Sequence, residues 1–387
     1  MKHVIIIGGG ISGLTTAHEL VEQNYKVTLI ERNDIVGGLA RTYQDAKNKT
    51  CPYEYSWRGY GDWYQNVYNI MKRIPFSNTE SVYNKLVIIN NGNKTCSKKI
   101  PTYDNALNQI SIKDYFKLFP MLIKYYLSCD KRNQTDYSKI GLRDYIHNKK
   151  LSKYTEDLIG KTTGPYLGFD YHNASIYDLL YYHEMIYCNS SKELNYNITS
   201  LPTSFVWFEP WIKLLKAKGV NILLNTEITQ INLNYIESKI VNIICHDKIQ
   251  NVYNNISADY YVNCTGPEIL DKLLKPHMLY PKITDLYHNI NKVANNGRQI
   301  QLSVYYYIDK KIFLDNKNTL AYLPNTPWLL MVLPTGHIWG DEYLSKYCID
   351  GIKEVISIGI CEPYVKGLFI KKPWSECTRD EIKIETW

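Results

Sequence analysis

The chain opens with an unbroken apolar run, Val4 to Ile7, inside a short stretch from Lys2 that shows no alternation of polar and apolar positions. A β-branched run of that length and pattern predicts a central parallel strand, buried on both faces. Helical spacing follows at Leu14, Ala17, His18 and Leu20, and a second apolar run from Val27 to Ile30 stops at Glu31. The order is strand, glycine turn, helix, strand. From about residue 76 to 200 the spacing turns helical, as in IKDYFKLFPMLIKYYLS and TEDLIGKTTGPYLGFD, with breaks expected at Pro120 and at Gly164-Pro165. A helix stopped by Gly219, a strand from Val220 and a short strand through Glu227 to Ile231 come next. ADYYVNCTGP predicts one more apolar strand, and RQIQLSVYYYID, TLAYLP, WLLMVLP and EVISIGICE predict a later sheet. Tyr305, Tyr306 and Tyr307 alternate faces on the first of these, so they cannot all line one pocket. Strands and helices mixed in this order make an α/β chain.

The glycines between the first strand and helix are spaced Gly8-x-Gly10-x-x-Gly13, with Ser12 among the candidate contacts. In a strand–turn–helix unit Gly8 permits the sharp turn, Gly10 lets the backbone approach a pyrophosphate, and Gly13 lets helix and strand pack closely. The helix N-terminus then offers unpaired N–H groups and its positive dipole end to phosphate. Glu31, closing the second strand, is positioned for the adenosine ribose hydroxyls. A glycine-tolerant turn without a ligand is the alternative.

The residues after Glu31 narrow the choice of nucleotide. Glu31-Arg32, the pair Gly37-Gly38 and Arg41 match the extended fingerprint of the FAD-binding amine oxidase and phytoene desaturase superfamily, which the chain resembles in order along most of its length. NAD enzymes lack the second glycine pair. The resemblance implies that Gly37, Gly38 and Arg41 touch the FAD pyrophosphate and ribityl chain. Elementary chemistry agrees, since glycines expose backbone N–H groups and a guanidinium pairs with phosphate oxygens. It further implies that Ile228 holds the adenine through its backbone and that Thr265-Gly266 turns close to the cofactor, although a plain turn fits those two residues equally. The segment 51–64 contains Glu54, Trp57, Arg58, Gly59 and Tyr60, which read either as a wall near the flavin ring or as aromatic packing.

The implied architecture is a Rossmann-like FAD-binding domain from residues 1–75 and 200–270. It is interleaved with a helical insertion, 76–199, that covers a substrate channel, and a mixed α+β substrate domain, 271–387. The implied activity is that of an FAD-dependent oxidoreductase in which hydride passes from a substrate C–H bond to the flavin. A sugar mutase on the same scaffold would need basic residues for a sugar diphosphate, which sequence position does not single out.

Composition adds limits. Lysines and arginines give a net charge of +7 but are scattered among acids, which argues against a nucleic-acid partner. The nine cysteines show no C-x-x-C spacing, so a reducing, cytoplasmic setting is expected. No eighteen-residue apolar window and no export signal are found, while peripheral membrane contact stays open. His172, His183 and Glu184 lack zinc-ligand spacing, no Gly-x-Ser-x-Gly elbow occurs, and no Walker lysine follows Gly13. The aromatic insertion without a charged cluster points to an apolar or amphipathic small-molecule substrate.

Relatives end with a Gly-Asp turn and a glycine-rich helix start that touches the flavin. Gly340-Asp341 lies too early for it, and the chain stops in a short helix capped by Thr378 and Glu381. The expectation is therefore a flavoenzyme lacking its C-terminal segment, with weakened FAD binding. An inactive relative surviving as a binding or scaffold remnant is the alternative.

Overall fold

Every side chain from Val4 to Ile7 is buried, and the strand that carries them, β1 (His3–Ile7), has a parallel neighbour on each side. The computed structural model describes residues 1–44, 50–91, 110–167, 171–189, 196–296, 301–312, 314, 319–323 and 325–387. The chain divides into two units: residues 1–43, 66–86 and 199–298, and residues 44–65, 87–198 and 299–387.

In the first unit, α1 (Ile11–Glu22) follows β1 and leads to β2 (Lys26–Ile30). Later come α2 (Glu209–Ala217), β3 (Asn221–Leu223), β4 (Thr226–Asn234), β5 (Lys239–Asp247), β6 (Val252–Ile256) and β7 (Tyr260–Asn263). The parallel sheet has the order β7-β1-β2-β3, and β6-β5-β4 form a separate antiparallel sheet. The two share an apolar core of Ile5, Ile7, Ile30, Ile231, Ile243 and Leu273. Gly219, at φ +89°, ends α2 as expected, because a left-handed C-terminal residue favours glycine.

In the second unit the expected late strands are Leu302–Ile308, Thr319–Leu323, Leu330–Pro334 and Glu354–Ile360, joined in one sheet with Leu86–Asn91, Tyr196–Thr199 and Tyr60–Gly61. The three tyrosines alternate as predicted. Tyr306 OH meets Thr386 Oγ1 at 2.7 Å, whereas Tyr307 OH donates to the Cys51 and Pro52 carbonyls. Between residues 110 and 189 the described chain is helical, and Tyr125, Tyr137, Leu142, Ile146, Ile176 and Leu180 form the core of that part.

Two expectations fail here. Pro120 does not break its helix, which runs from Ile112 to Tyr126 with the proline inside. Proline has no N–H for the carbonyl four residues earlier, but Phe116 and Pro120 both face solvent, so water can take that bond. The helix Lys153–Leu167 likewise runs through Gly164-Pro165.

Three stretches also fall on the other side of the division from the boundaries drawn on sequence, the shortest being residues 76–86, which lie in the first unit. Residues 44–65 lie in the second unit, where Tyr60-Gly61 pairs with Tyr196-Asn197 and Tyr55 OH donates to the Gln301 carbonyl at 3.0 Å. Residues 271–298 lie in the first, because α3 (Pro267–Leu274) crosses position 270, buries Leu273 and Leu274, and leads into α4 (Pro281–Asn296). Cys96 lies outside the described residues, as does the side chain of Cys188.

The helix Ile112–Tyr126 is pinned by a buried carboxylate. Asp114 accepts bonds from the Ser152 N–H at 3.1 Å, the Ser152 hydroxyl and the Thr155 hydroxyl at 2.8 Å. Burial opposes its charge, but these bonds outweigh that penalty and hold the carboxyl down at about 2, against an ordinary 3.8. A carboxyl depressed on folding stabilises the protein above its unfolded value and loses that contribution as pH falls through the folded one. Stability should therefore drain between about pH 4 and about pH 2. Asp114→Asn is expected to lower unfolding free energy at neutral pH by about 2 kcal/mol and to flatten that acid limb. Urea unfolding of both proteins across this range measures it, and identical acid limbs would contradict the assignment.

Candidate nucleotide-binding site

The turn after β1 leaves no room for a side chain at Gly8 or Gly13. Gly8 has φ +102°, donates its N–H to the Ile30 carbonyl at 2.8 Å, and would press a Cβ to 3.0 Å from the Cys264 carbonyl oxygen. A Cβ on Gly13 would stand 1.9 Å from the Gly8 carbonyl oxygen, so α1 packs on the turn backbone to backbone. Gly10 differs. It is the N-cap of α1, and a Cβ there would have only the Gly38 Cα within 4 Å, at 3.8 Å. The protein itself does not fill that space.

The second glycine pair closes onto the first. Gly37 donates its N–H to the Gly9 carbonyl at 2.8 Å, and a Cβ on Gly38 would come to 3.1 Å from the Gly10 Cα. Gly37 and Gly38 have φ of +110° and +58°, which glycine adopts without strain. The two loops thus form one glycine-lined surface at the start of α1. Neither an N-cap side chain nor an acid in the first turn occupies the α1 donors, so the helix end keeps its affinity for an anion. Ser12, in that turn, is exposed.

Glu31 sits just past β2 with 5% of its surface exposed. Oε2 accepts from the Gly9 N–H at 2.8 Å and Oε1 from the Asn33 N–H at 2.9 Å, with the Asn33 side-chain amide as a third donor. An ionised carboxylate has about four acceptor sites, so one remains. The Glu31 carbonyl accepts from the Thr226 N–H at 2.9 Å and anchors the start of β4. Ile228 lies two residues further along β4, which among the described residues is bonded to β5 on one side only. Its backbone is therefore on a sheet edge.

Arg41 is half-buried; Nη1 makes a long bond of 3.5 Å to the Gly38 carbonyl, and the guanidinium lies over the Tyr43 ring at 4.6 Å. Arg32 is exposed, with its carbonyl accepting from Lys248 Nζ at 3.1 Å. Thr265, beside the Gly8 turn, donates its hydroxyl to Asn263 Oδ1 at 2.8 Å, so that donor is used within the protein. Gly266 is the exposed N-cap of α3.

Glu54, Trp57, Arg58, Gly59 and Tyr60 belong to the second unit, and several of them pack there. Trp57 lies against the cluster around Ile89 and Met331, a Cβ on Gly59 would come to 2.7 Å from the Trp57 ring, and Tyr60 is buried in its strand. Burial, with the Glu54 carboxylate beside it, pushes the Tyr305 phenol well above its ordinary value. Among the described residues no three His, Cys, Asp or Glu groups could hold a metal.

Three supports were not expected from sequence. Asn33 orients Glu31, and its position two residues on is the only local signal. Phe208 fills the space beside Gly37, where a Cβ would meet its ring at 2.5 Å. Ser204 and Thr42 exchange bonds of 2.8 and 3.0 Å between backbone N–H and side-chain hydroxyl. Behind them Trp211 donates to His18 Nδ1 at 3.1 Å, and burial keeps that imidazole below its ordinary value and able to accept.

The glycines should separate by function. Gly37→Ala, which drives a methyl into Phe208 at positive φ, is expected to lower stability by about 2–4 kcal/mol. Gly10→Ala, facing open space, should change it by less than about 1 kcal/mol. Equal losses in urea unfolding would contradict this geometry.

The segment that carries these loops is similar to known proteins. The NAD(P)-binding Rossmann-like domain family matches residues 6–74. Over 46 residues the chain is 46% identical to an L-amino-acid oxidase of Bungarus fasciatus, a match covering 12% of this chain and 9% of that protein. Over 67 residues it is 34% identical to a carotenoid phi-ring synthase of Chlorobaculum tepidum, covering 17% and 10%. The matched segment thus spans about a tenth of the length of these curated relatives. Among solved structures, an oxidoreductase from Methanosarcina mazei aligns with TM-score 0.64 at 13% identity over 99% of this chain and 81% of that one. A redesigned putrescine oxidase aligns with TM-score 0.57 at 12% identity over 93% and 75%. The chain carries an NAD(P)-binding Rossmann-like segment and shares its fold with solved oxidoreductases, a putrescine oxidase among them.

Proposed function

We propose that this chain is an FAD-dependent oxidoreductase that removes a hydride from a C–H bond of an apolar or amphipathic small molecule. The observation that carries the reading is the open side of Gly10: two glycine loops meet at the start of a helix, and the Cβ that Gly10 lacks would enter a volume no protein atom needs. Gly8, Gly10, Ser12 and Gly13 would hold the pyrophosphate at the α1 N-terminus. Gly37, Gly38 and Arg41 would flank it and the ribityl chain, with Arg32 at the outer edge. Glu31 would accept from the ribose, the Ile228 backbone would meet the adenine, and Thr265-Gly266 would border the turn.

FAD, when bound, supplies a two-electron acceptor. The protein's own contribution is fixed donors and a buried carboxylate that need not reorganise on binding. The second glycine pair favours FAD over NAD, whose phosphates the first loop alone would serve. The described cysteines are free thiols, which accords with a reducing compartment such as the cytoplasm.

Titrating purified protein with FAD and following flavin fluorescence tests the reading. Gly10→Val is expected to weaken binding at least about a hundredfold, by displacing two or more charge-assisted bonds, while the circular dichroism spectrum is unchanged. Chromatography of ligand released by denaturation should yield FAD. Undiminished FAD binding by the variant, or recovery of NAD or of FMN alone, would refute it. Turnover confined to small charged amino acids would refute the substrate class.

A further inference from the structure

The helix Ile112–Tyr126 in the second unit turns an apolar face to solvent. Ile112, Phe116, Phe119, Ile123 and Leu127 are all exposed, Phe116 to 74% and Leu127 to 83%. At 100° per residue they fall, with the exposed Tyr115 and Tyr126, within an arc of about 120°. Single exposed apolar residues are ordinary on a protein surface, but a continuous row along four turns marks a contact surface.

This face cannot rotate inward. The opposite side of the helix is held by Asp114 on Ser152 and Thr155, by Tyr125 OH donating to Glu184 at 2.7 Å, and by Leu118, Met121 and Leu122 in the core. Lys113, Lys117 and Lys124 lie together along one border of the row, about 100–140° from its centre. Lys113 and Lys124 are exposed, while Lys117 donates to the Lys150 carbonyl and lies 3.8 Å from Asp114.

We propose that this face binds an anionic membrane surface, with the helix lying flat in the headgroup region. Charge selects the occupant. The only carboxylate from Ile112 to Leu127 is Asp114, buried on the far side, so a second copy of the helix would bury the row and offer no carboxylate to Lys113 or Lys124. Anionic headgroups pair those lysines while the acyl boundary takes the phenyl and aliphatic side chains, and Tyr115 and Tyr126 suit the interface as amphipathic rings. The helix would lie on the bilayer and not span it: no helix among the described residues is long and apolar enough to cross a membrane.

Flotation of the full chain with phosphatidylcholine vesicles, with and without phosphatidylserine, tests the proposal. Binding is expected with phosphatidylserine and should weaken as salt rises. Phe116→Ser with Phe119→Ser should abolish it with little change in melting temperature, since both rings have more than half of their surface in water. Lys113→Glu with Lys124→Glu should reduce binding to the anionic vesicles by at least about fivefold per lysine. No flotation, or flotation unchanged in the Phe116/Phe119 variant, would overturn it. So would equal binding to both vesicles, or a dimer in vesicle-free sedimentation that the Phe116/Phe119 variant dissociates, which would assign the face to a second copy.

Discussion

The approach of α1 to the Gly8 carbonyl sets the rest of the first unit. With 1.9 Å between that oxygen and any Cβ on Gly13, helix and turn meet as bare backbone, and the helix axis has little freedom over the sheet. This fixes where the α1 N–H groups emerge and brings Gly9 within reach of both the Glu31 carboxylate and the Gly37 N–H. Glu31 in turn ties β2 to β4 through Thr226. One close packing contact is thus linked through Gly9 to Glu31 and the second glycine loop.

A block of aromatic side chains keeps the second loop against the first. Trp207, Phe208 and Trp211 are fully buried, with the two indoles nearly parallel at 5.6 Å. Phe208 occupies the side of Gly37, Trp211 grips His18 on α1, and the Ser204–Thr42 exchange fixes the loop exit. Aromatic contacts with few rotamers hold geometry at little entropic expense. The same short segment thus anchors both halves of the glycine surface.

What could be read from sequence was what depends on near neighbours. The β1 turn, α1, β2 and Glu31 lie within thirty-one residues, and the tightest steric demand, Gly13 against the Gly8 carbonyl, arises inside that stretch. Phe208 and Ser204 act on residues more than 160 positions away, and nothing in SFVWF distinguishes a ring that shapes a loop from one that fills a core. The penalty of an interior proline joins a lost bond to a ring clash, and sequence spacing does not reveal that Pro120 lies on the exposed face, where water can replace the bond. Residues 51–64 were assigned to the nucleotide domain because strands of two residues carry no periodicity.

The strand order has a consequence for biosynthesis. β1 is an inner strand of its sheet, yet β7, its partner at Tyr260, is encoded 256 positions after Val4. At a translation speed of about 5–20 residues per second, the apolar edge of β1 waits roughly 13–50 s for that partner to leave the ribosome. Parallel pairing across such a separation also closes slowly afterwards. A nascent chain arrested before residue 260 would present Val4 to Ile7 as an unpaired edge, open to aggregation and to chaperones. The nucleotide cradle, although written almost wholly in the first forty-one residues, would therefore be completed only late in synthesis.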